Sequence, residues 1–287
     1  MNNIFGIVGG DLRLIKLAQI LSKENNIVYT YGLEKYDFKE ERIIKVDSIE
    51  KIGNKCRYII SSIPFSKEGR TVNCEYSENE IYIEDFLCKI KNKTLIAGAI
   101  NTETKTICTN NNIEIIDLLD IEELTVLNVI PTVEGAIKVA IDETEYTLNN
   151  SKILILGFGR IGKLLANILD SFGAKVYCEA RKQSDIAWIK AYGYNSINLS
   201  NLDFELKNKY DIIFNTIPTL ILDKKRLKIV KEYNPLIIEL ASKPFGIDFK
   251  EAEKLEIKVI KAQGLPGKVA PYTSAINIKN VIDNIIK

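Results

Sequence analysis

The chain of 287 residues contains no histidine. That removes the side chain most often used as a general acid or base near neutral pH, and the commonest metal ligand. Cysteine does not fill the gap. Its five residues, Cys56, Cys74, Cys88, Cys108 and Cys178, are scattered and form no CxxC pair, so thiolates at zinc spacing are missing as well and no metal site is expected. An odd number of dispersed cysteines reads as reduced thiols in a cytosolic chain. An excess of charge of one sign is also absent. Lys and Arg number 39 against 38 Asp and Glu, a net +1, which gives no electrostatic case for nucleic acid or an anionic membrane. The start, MNNIFGIVGG, has neither a basic n-region nor a long apolar h-region and is not expected to be a signal peptide. No apolar run is expected to approach the ~20 residues of a membrane span. What remains is a composition ordinary for a globular protein, 46% apolar and 27% charged. The length suffices for two domains of about 100–200 residues each.

Short apolar runs alternate with helical patterns, the mark of parallel α/β architecture. In the first part, strands are predicted at 4–8, 27–31, 58–61, 94–98 and 113–116, with helices at 11–23 and 79–91. In the second part, strands are predicted at 152–156, 174–178, 195–198, 211–214, 236–240 and 257–261, with helices at 160–171, 183–192, 223–232 and 248–254. Between the parts Pro131 can start a helix whose apolar spacing runs to about Ile141. The expected fold is α/β, with two doubly wound parallel-sheet domains. A flavodoxin- or Rossmann-like substrate domain covers 1–127 and a connecting helix and linker cover 128–150. A dinucleotide-binding Rossmann domain follows over 151–272, and a C-terminal helix over 273–287 packs back on the first domain. An internal echo supports two domains of related plan: IVGGDLRLIKLAQIL (7–21) aligns with ILGFGRIGKLLANIL (155–169), and IISSIPFS (59–66) with IFNTIPTL (213–220). Any two strand-turn-helix units also look alike, so that reading stays open.

The stretch KILILGFGRIGKLLANIL (152–169) carries the chemistry. A GxGxxG motif after a strand and opening a helix is the context that dinucleotide binding requires. Gly157 permits the tight turn, Gly159 lets the backbone approach a pyrophosphate, and Gly162 lets helix and strand sit close. The N–H groups at Arg160 and Ile161 would then face the phosphates. In the first domain Asp11 stands where Gly159 stands and Leu14 where Gly162 stands. A carboxylate there would repel a pyrophosphate, so only the second domain is expected to bind a dinucleotide. Asp11 is otherwise a helix cap, or, with Arg13, a polar group at the mouth of an interdomain cleft. The second strand, AKVYCEARK, bears on the cofactor. An acidic residue at its end suits a ribose 2′-hydroxyl, and Arg or Lys suits a 2′-phosphate. Glu179 is near the expected distance, but strand parity sets it one residue early and leaves Arg181 and Lys182 at the ribose. This favours NADP over NAD, with a solvated strand end as the bland alternative.

Ligands of open parallel sheets lie beyond the carboxyl ends of the strands. Those ends carry NTIP (215–218), ELASKPFG (239–246) and QGLPGKVAPYTSA (263–275). Asn215 and Thr216 could bond a cofactor ribose, and Pro218 stops the strand. Ser242 and Lys243 fall where a nicotinamide should lie, and Lys268 is the one cation in a rigid Gly/Pro loop. In the first domain Ser61 and Ser62 end a strand, and Thr132 and Glu134 lie near the connector's N-terminus. These face the cleft if the domains close on it. Ordinary turn and cap chemistry accounts for each segment taken alone.

Taken together, VGGDLR, NVIPTVEGAIKVAI, ILGFGRIGKLLANIL, EARKQSD, NTIP, ELASKPFGIDF and GLPGKVAPYTSA resemble the dipicolinate synthase A-subunit family of spore-forming bacteria, over nearly the whole chain. The family segment after SKP often has two glycines, whereas here Phe245 precedes the single Gly246. The resemblance implies the last step of dipicolinate formation, from a dihydrodipicolinate-type precursor with a nicotinamide cofactor as oxidant. It implies a partner, the flavoprotein-like B-subunit of the synthase, and a cytoplasmic place in the mother cell during sporulation. Homo-oligomerisation is left open. If the substrate aromatises on losing a hydride, the protein must hold a dicarboxylate and take up a proton. Lys243 and Lys268 are then the carboxylate binders. Lys243, Glu134 or a water takes the proton, and Ser242, Thr132, Ser62, Arg13 and Asp11 are further substrate contacts. Two other readings fit the same features: another two-domain NAD(P)-dependent dehydrogenase of a hydroxy or amino acid, and a non-catalytic nucleotide-binding subunit.

Overall fold

The apolar runs become two six-stranded parallel sheets, one in each of two units, in a computed structural model that describes residues 3–286. The first unit comprises 1–128 and 266–287, the second 129–265.

In the first unit the strands are β1 (Ile4–Val8), β2 (Ile27–Tyr31), β3 (Ile43–Lys45), β4 (Tyr58–Ser61), β5 (Thr94–Ala97) and β6 (Glu114–Asp117). Helices α1 (Leu12–Lys23), α2 (Ile49–Lys55), α3 (Ile83–Lys89), α4 (Thr102–Asn110) and α5 (Glu122–Leu127) lie between and after them. The spatial order is β3-β2-β1-β4-β5-β6. In the second unit α6 (Val129–Asp142) precedes β7 (Lys152–Leu156), α7 (Arg160–Ser171), β8 (Lys175–Ala180), α8 (Gln183–Ala191), β9 (Asn195–Asn198) and α9 (Leu202–Glu205). Then follow β10 (Ile212–Asn215), α10 (Lys224–Lys231), β11 (Leu236–Glu239), α11 (Phe249–Lys254) and β12 (Val259–Lys261). The order here is β9-β8-β7-β10-β11-β12. Numbered within each unit, both orders read 3-2-1-4-5-6, the doubly wound arrangement of dinucleotide-binding sheets. The echo between 7–21 and 155–169 is thus a shared topology. Gly9 (φ +69°) follows β1 as Gly157 (φ +92°) follows β7, and each leads into a helix. The inner strands β5, β10 and β11 are buried along their whole length, as expected of parallel strands covered on both faces.

The connector differs from the sequence reading. Helix α6 begins at Val129, two residues ahead of Pro131. Pro131 therefore sits in the first turn, where the missing N–H would have had no helical partner anyway. Val133, Ala136, Ile137 and Ala140 join Leu165, Ala166 and Leu169 of α7 in one core cluster, so α6 is a packed helix of the second unit. Glu122–Asp142 is, contrary to the reading of apolar runs, long and apolar enough to cross a membrane by length and composition, with hydropathy 1.5. Its α6 part carries exposed Glu134 and Lys138 opposite the buried stripe, the pattern of a helix packed on a core. At the other end, α12 (Leu265–Val269) is followed by α13 (Pro271–Ile285). Ala275, Ile278, Val281 and Ile282 of α13 pack with Leu14, Leu17, Ala18 and Leu21 of α1. The tail from residue 266, not 273, belongs to the first unit. All five cysteines are free thiols. Burial pushes the Cys56 thiol up to about 12 and Cys108 to about 11.

Candidate functional site

At the carboxyl ends of β7, β8 and β10 the second unit encloses a cavity of ≈ 750 Å³. Its floor is the glycine loop. Gly157 takes φ +92°, and a Cβ there would lie 2.6 Å from Thr216 Oγ1. A Cβ on Gly162 would lie 2.1 Å from the carbonyl oxygen of Gly157. The chain itself therefore demands glycine at both positions. Gly159 is different. Its backbone is extended (φ −82°, ψ −159°), and a Cβ would meet no atom within 4 Å. Nothing in the chain requires glycine there, and Gly159 lines the cavity. Gly159 is also the N-cap of α7, with no side-chain cap and no acidic residue in the first turn. A helix start of this kind suits an anion.

The first unit closes the equivalent place. Asp11 caps α1, accepting from the Arg13 N–H at 2.9 Å. Its other oxygen pairs with the Arg13 guanidinium at 2.7 Å, in an ion pair only 9% and 14% exposed at the side chains. Arg13 also donates to the Ile63 carbonyl. Gly267 of α12 presses on the pair, since a Cβ there would lie 3.0 Å from Asp11 Oδ2. Both residues are committed within the first unit.

The cavity wall carries Arg160, Lys163, Arg181, Lys182 and Arg226 against Glu179 and Asp185, a net cationic lining suited to a pyrophosphate. Arg226 is fixed by bonds to Asp203 Oδ1 (2.7 Å) and the Ile221 carbonyl (2.8 Å). Arg181 and Lys182 are exposed at the end of β8. Glu179 is 1% exposed. It lies opposite Leu156 in the register, and its carboxylate turns inward to accept the Gly157 N–H at 3.2 Å. Burial pushes this carboxyl above its ordinary value, while the Gly157 bond and the charges of Arg226 and Arg181 draw it back down.

The other strand ends divide into buried braces and exposed tips. Asn215 is fully buried and gives its amide hydrogens to the Ile217 carbonyl (3.0 Å) and Glu239 (2.8 Å). Thr216 donates to the Leu156 carbonyl at 2.9 Å, tying β10 to the start of the glycine loop. Pro218 is exposed on the segment that follows. Ser242 and Lys243 are exposed at the tip after β11, and the Lys243–Pro244 bond is cis. Phe245 adopts φ +70°, the region that favours glycine. A bulky residue thus holds a left-handed conformation, at a cost of about 1–2 kcal/mol. Its ring packs edge-on against Phe249 at 5.4 Å, and Lys261 stands 4.0 Å over the Phe249 ring.

Of the remaining sequence candidates, Ser62 is buried and donates to the Asn73 carbonyl. Thr132 and Glu134 lie inside α6 rather than at its cap, Glu134 exposed and Thr132 half-buried. Lys268 is exposed on α12. Ile161 is half-buried in the first turn of α7. Sequence reasoning passed over Lys163 and Arg226 in the cavity wall, and Glu239 and Gln263 at the ends of β11 and β12. The signal for Glu239 was its pairing with Asn215 as last residues of adjacent strands, which only the register reveals.

Comparison with known proteins agrees with this division. Residues 4–119 match the N-terminal domain of the dipicolinate synthase A-subunit. Residues 133–237 match the NAD binding domain of D-isomer specific 2-hydroxyacid dehydrogenases. The chain is 31% identical over 282 residues to the dipicolinate synthase A-subunit of Bacillus subtilis (strain 168), covering 98% of this chain and 94% of that one. It is similar to the solved structure of the dipicolinate synthase A-subunit from Bacillus halodurans, with TM-score 0.88 and 30% identity over 99% of this chain and 97% of that chain. The solved structure of the Bacillus subtilis protein gives TM-score 0.87 and 30% identity, over 100% and 96%.

Proposed function

Because the chain belongs to the dipicolinate synthase A-subunit family, with a second unit matching a nicotinamide-dinucleotide-binding domain, we propose that it forms pyridine-2,6-dicarboxylate from a dihydrodipicolinate-type precursor. The observation that carries the oxidoreductase reading is the cradle at Gly159, a helix N-cap that lines the cavity and that nothing in the chain requires to be glycine. The dinucleotide, when bound, supplies the hydride acceptor. The substrate gives up a hydride and a proton, and its ring becomes aromatic, so the chain needs to orient the substrate more than to activate it.

The proposed residue roles follow from placement. The 157–162 loop and the first turn of α7, with Arg160 and Ile161, hold the pyrophosphate. Arg181 and Lys182 bind a 2′-phosphate and make NADP the preferred cofactor over NAD. Supporting this, Glu179 is spent on the Gly157 N–H instead of standing ready for a ribose hydroxyl. Asn215 and Thr216 act by shaping the segment that leads to Pro218. Lys243 and Lys268 are exposed and, among the described residues, in no ion pair or hydrogen bond. Both are candidate carboxylate binders, with Lys243 also able to take up the proton. Ser242, Thr132 and Glu134 follow as secondary candidates. Asp11, Arg13 and Ser62, already committed to internal bonds, act by holding their own segments in shape. The family reading further proposes that the partner is the flavoprotein-like B-subunit of the synthase, and that the chain works in the cytoplasm of the mother cell of a sporulating bacterium.

The match of 133–237 to 2-hydroxyacid dehydrogenases favours one second reading, oxidation of a 2-hydroxy acid. The test is to supply the purified chain, with and without its partner subunit, with the dicarboxylate precursor or with 2-hydroxy acids, and with each nicotinamide cofactor. The proposal expects a pyridine absorbance with the precursor only. Turnover of a hydroxy acid alone would replace it with the second reading, and cofactor binding without any turnover would leave a nucleotide-binding subunit.

A further inference from the structure

One buried carboxylate has no part in the roles given above. Glu239 ends β11 with 0% exposure, and no basic side chain shares in its perturbation. Its partners are all hydrogen-bond donors. Oε1 accepts from Asn215 Nδ2 at 2.8 Å and from the Ala241 N–H at 2.9 Å, and Oε2 accepts from the Gly246 N–H at 2.9 Å. Ala241 opens the 241–246 loop and Gly246 closes it, so the two oxygens of one side chain bridge both ends. The tip between them carries Ser242 and Lys243. Inside the loop, the Phe245 N–H donates to the Ser242 carbonyl at 3.0 Å. On the far side Gln263 donates to the carbonyls of Glu239 (2.9 Å) and Ala241 (3.3 Å). Gly246 itself is closely packed, since a Cβ there would lie 2.4 Å from Asn215 Nδ2 and 2.5 Å from the Ile217 carbonyl.

Burying a charge without a counter-ion is expensive, and an apolar side chain would fill this place without that expense. What an apolar side chain cannot do is accept three donors that converge from the end of β10 and from both ends of the 241–246 loop. Glutamine cannot either, because its amide group would face the Gly246 N–H donor to donor. We infer that Glu239 is a positioning residue, whose carboxylate clamps both ends of the 241–246 loop and so fixes Ser242 and Lys243 at its tip. This rests on the proposed reading that Lys243 serves the substrate.

The test is a double-mutant cycle on the full chain with its partner subunit. Lys243→Ala, Glu239→Gln and the double variant are compared for kcat, KM and NADP affinity. Loss of the Gly246 bond, a charge-assisted one, is expected to lower kcat about ten- to a hundredfold in Glu239→Gln. NADP affinity is expected to stay at the wild-type level, because the oxygen facing Asn215 is kept. The double variant is expected to be no slower than Lys243→Ala, since both changes act through one group. If Glu239→Gln fails to fold, Gln263→Ala releases the same loop from the other side and is expected to show the same non-additivity with Lys243→Ala. Wild-type kcat in the brace variant, or losses that simply add, would overturn the positioning role and leave Lys243 in place. Wild-type kinetics in Lys243→Ala would remove Lys243 from the site and the positioning role with it.

Discussion

Replacing Gly159 by alanine separates binding from folding more cleanly than any other change in the loop. A Cβ at this position meets no atom within 4 Å, and φ −82° suits any residue. Gly→Ala in a compatible backbone stabilises by about 0.4–1 kcal/mol through the unfolded chain. Alanine is a poorer N-cap than glycine by roughly the same amount. The two nearly cancel, so Tm is expected to stay within about 2–4 °C of the wild type. The methyl group instead occupies the space a pyrophosphate needs. Losing one charge-assisted bond to the helix start costs about 1.5–3 kcal/mol, or about ten- to a hundredfold in dinucleotide Kd. Gly162→Ala makes the control. Its Cβ would lie 2.1 Å from the Gly157 carbonyl oxygen, and overpacking against backbone costs about 1–3 kcal/mol of stability. Thermal melting and calorimetric titration of both proteins give the four numbers needed. Wild-type dinucleotide affinity in Gly159→Ala would refute the reasoning, because the open space would then serve no bound phosphate. Gly159→Asp, which adds a carboxylate as Asp11 does in the first unit, is expected to abolish binding.

Other outcomes follow from the same geometry. Arg181→Ala is expected to weaken NADP by about ten- to a hundredfold and to leave NAD unchanged in parallel titrations; equal losses would place the 2′-phosphate elsewhere. Lys268→Ala is expected to raise the substrate KM with cofactor affinity intact, and Lys243→Ala to lower kcat; steady-state kinetics with the partner subunit present reads both. Glu179 provides a pH test. Burial raises its carboxyl above the ordinary 4.5, so the folded chain binds that proton more tightly than the unfolded chain. The resulting stabilisation is full below 4.5 and is lost as pH rises through the folded value. The Tm of the wild type minus that of Glu179→Gln is therefore expected to increase as pH is lowered from 7 towards 4.5, and a difference independent of pH would contradict it.

The second unit was largely legible from its residues. Strands read at 152–156 and 195–198 and the helix at 160–171 coincide with β7, β9 and α7; for β7 and α7 the reason is an apolar run that stops at Gly157 and gives way to helical spacing. The first unit lost more. Strand β3 has three residues, one of them buried, which is too short for any alternation to register. Helix α3 covers only Ile83–Lys89 of the predicted 79–91, since Tyr82 instead bridges Thr71. The boundary at 128–150 was misread because a buried helix with Pro131 in its first turn looks the same in sequence whether it connects or packs. The glycine loop was visible because its spacing is local. The Glu239 brace was not, since Asn215, Ala241 and Gly246 meet only once β10 and β11 are paired in register. The commitment of Asp11 and Arg13 to each other, two residues apart, was equally hidden, because a cap and a ligand-facing carboxylate are spelled alike.

The central claim is that this chain moves a hydride from a dihydropyridine-type dicarboxylate to a nicotinamide dinucleotide held on the 157–162 loop. The most direct measurement is a single-turnover reaction in which the chain, with its partner subunit, is mixed with precursor and NADP while reduced nicotinamide and pyridine-2,6-dicarboxylate are followed together. The account expects the two to appear at the same rate and in equal amounts, and both to be lost in Gly159→Asp. Formation of the pyridine product without reduced nicotinamide, or at an undiminished rate in Gly159→Asp, would contradict it.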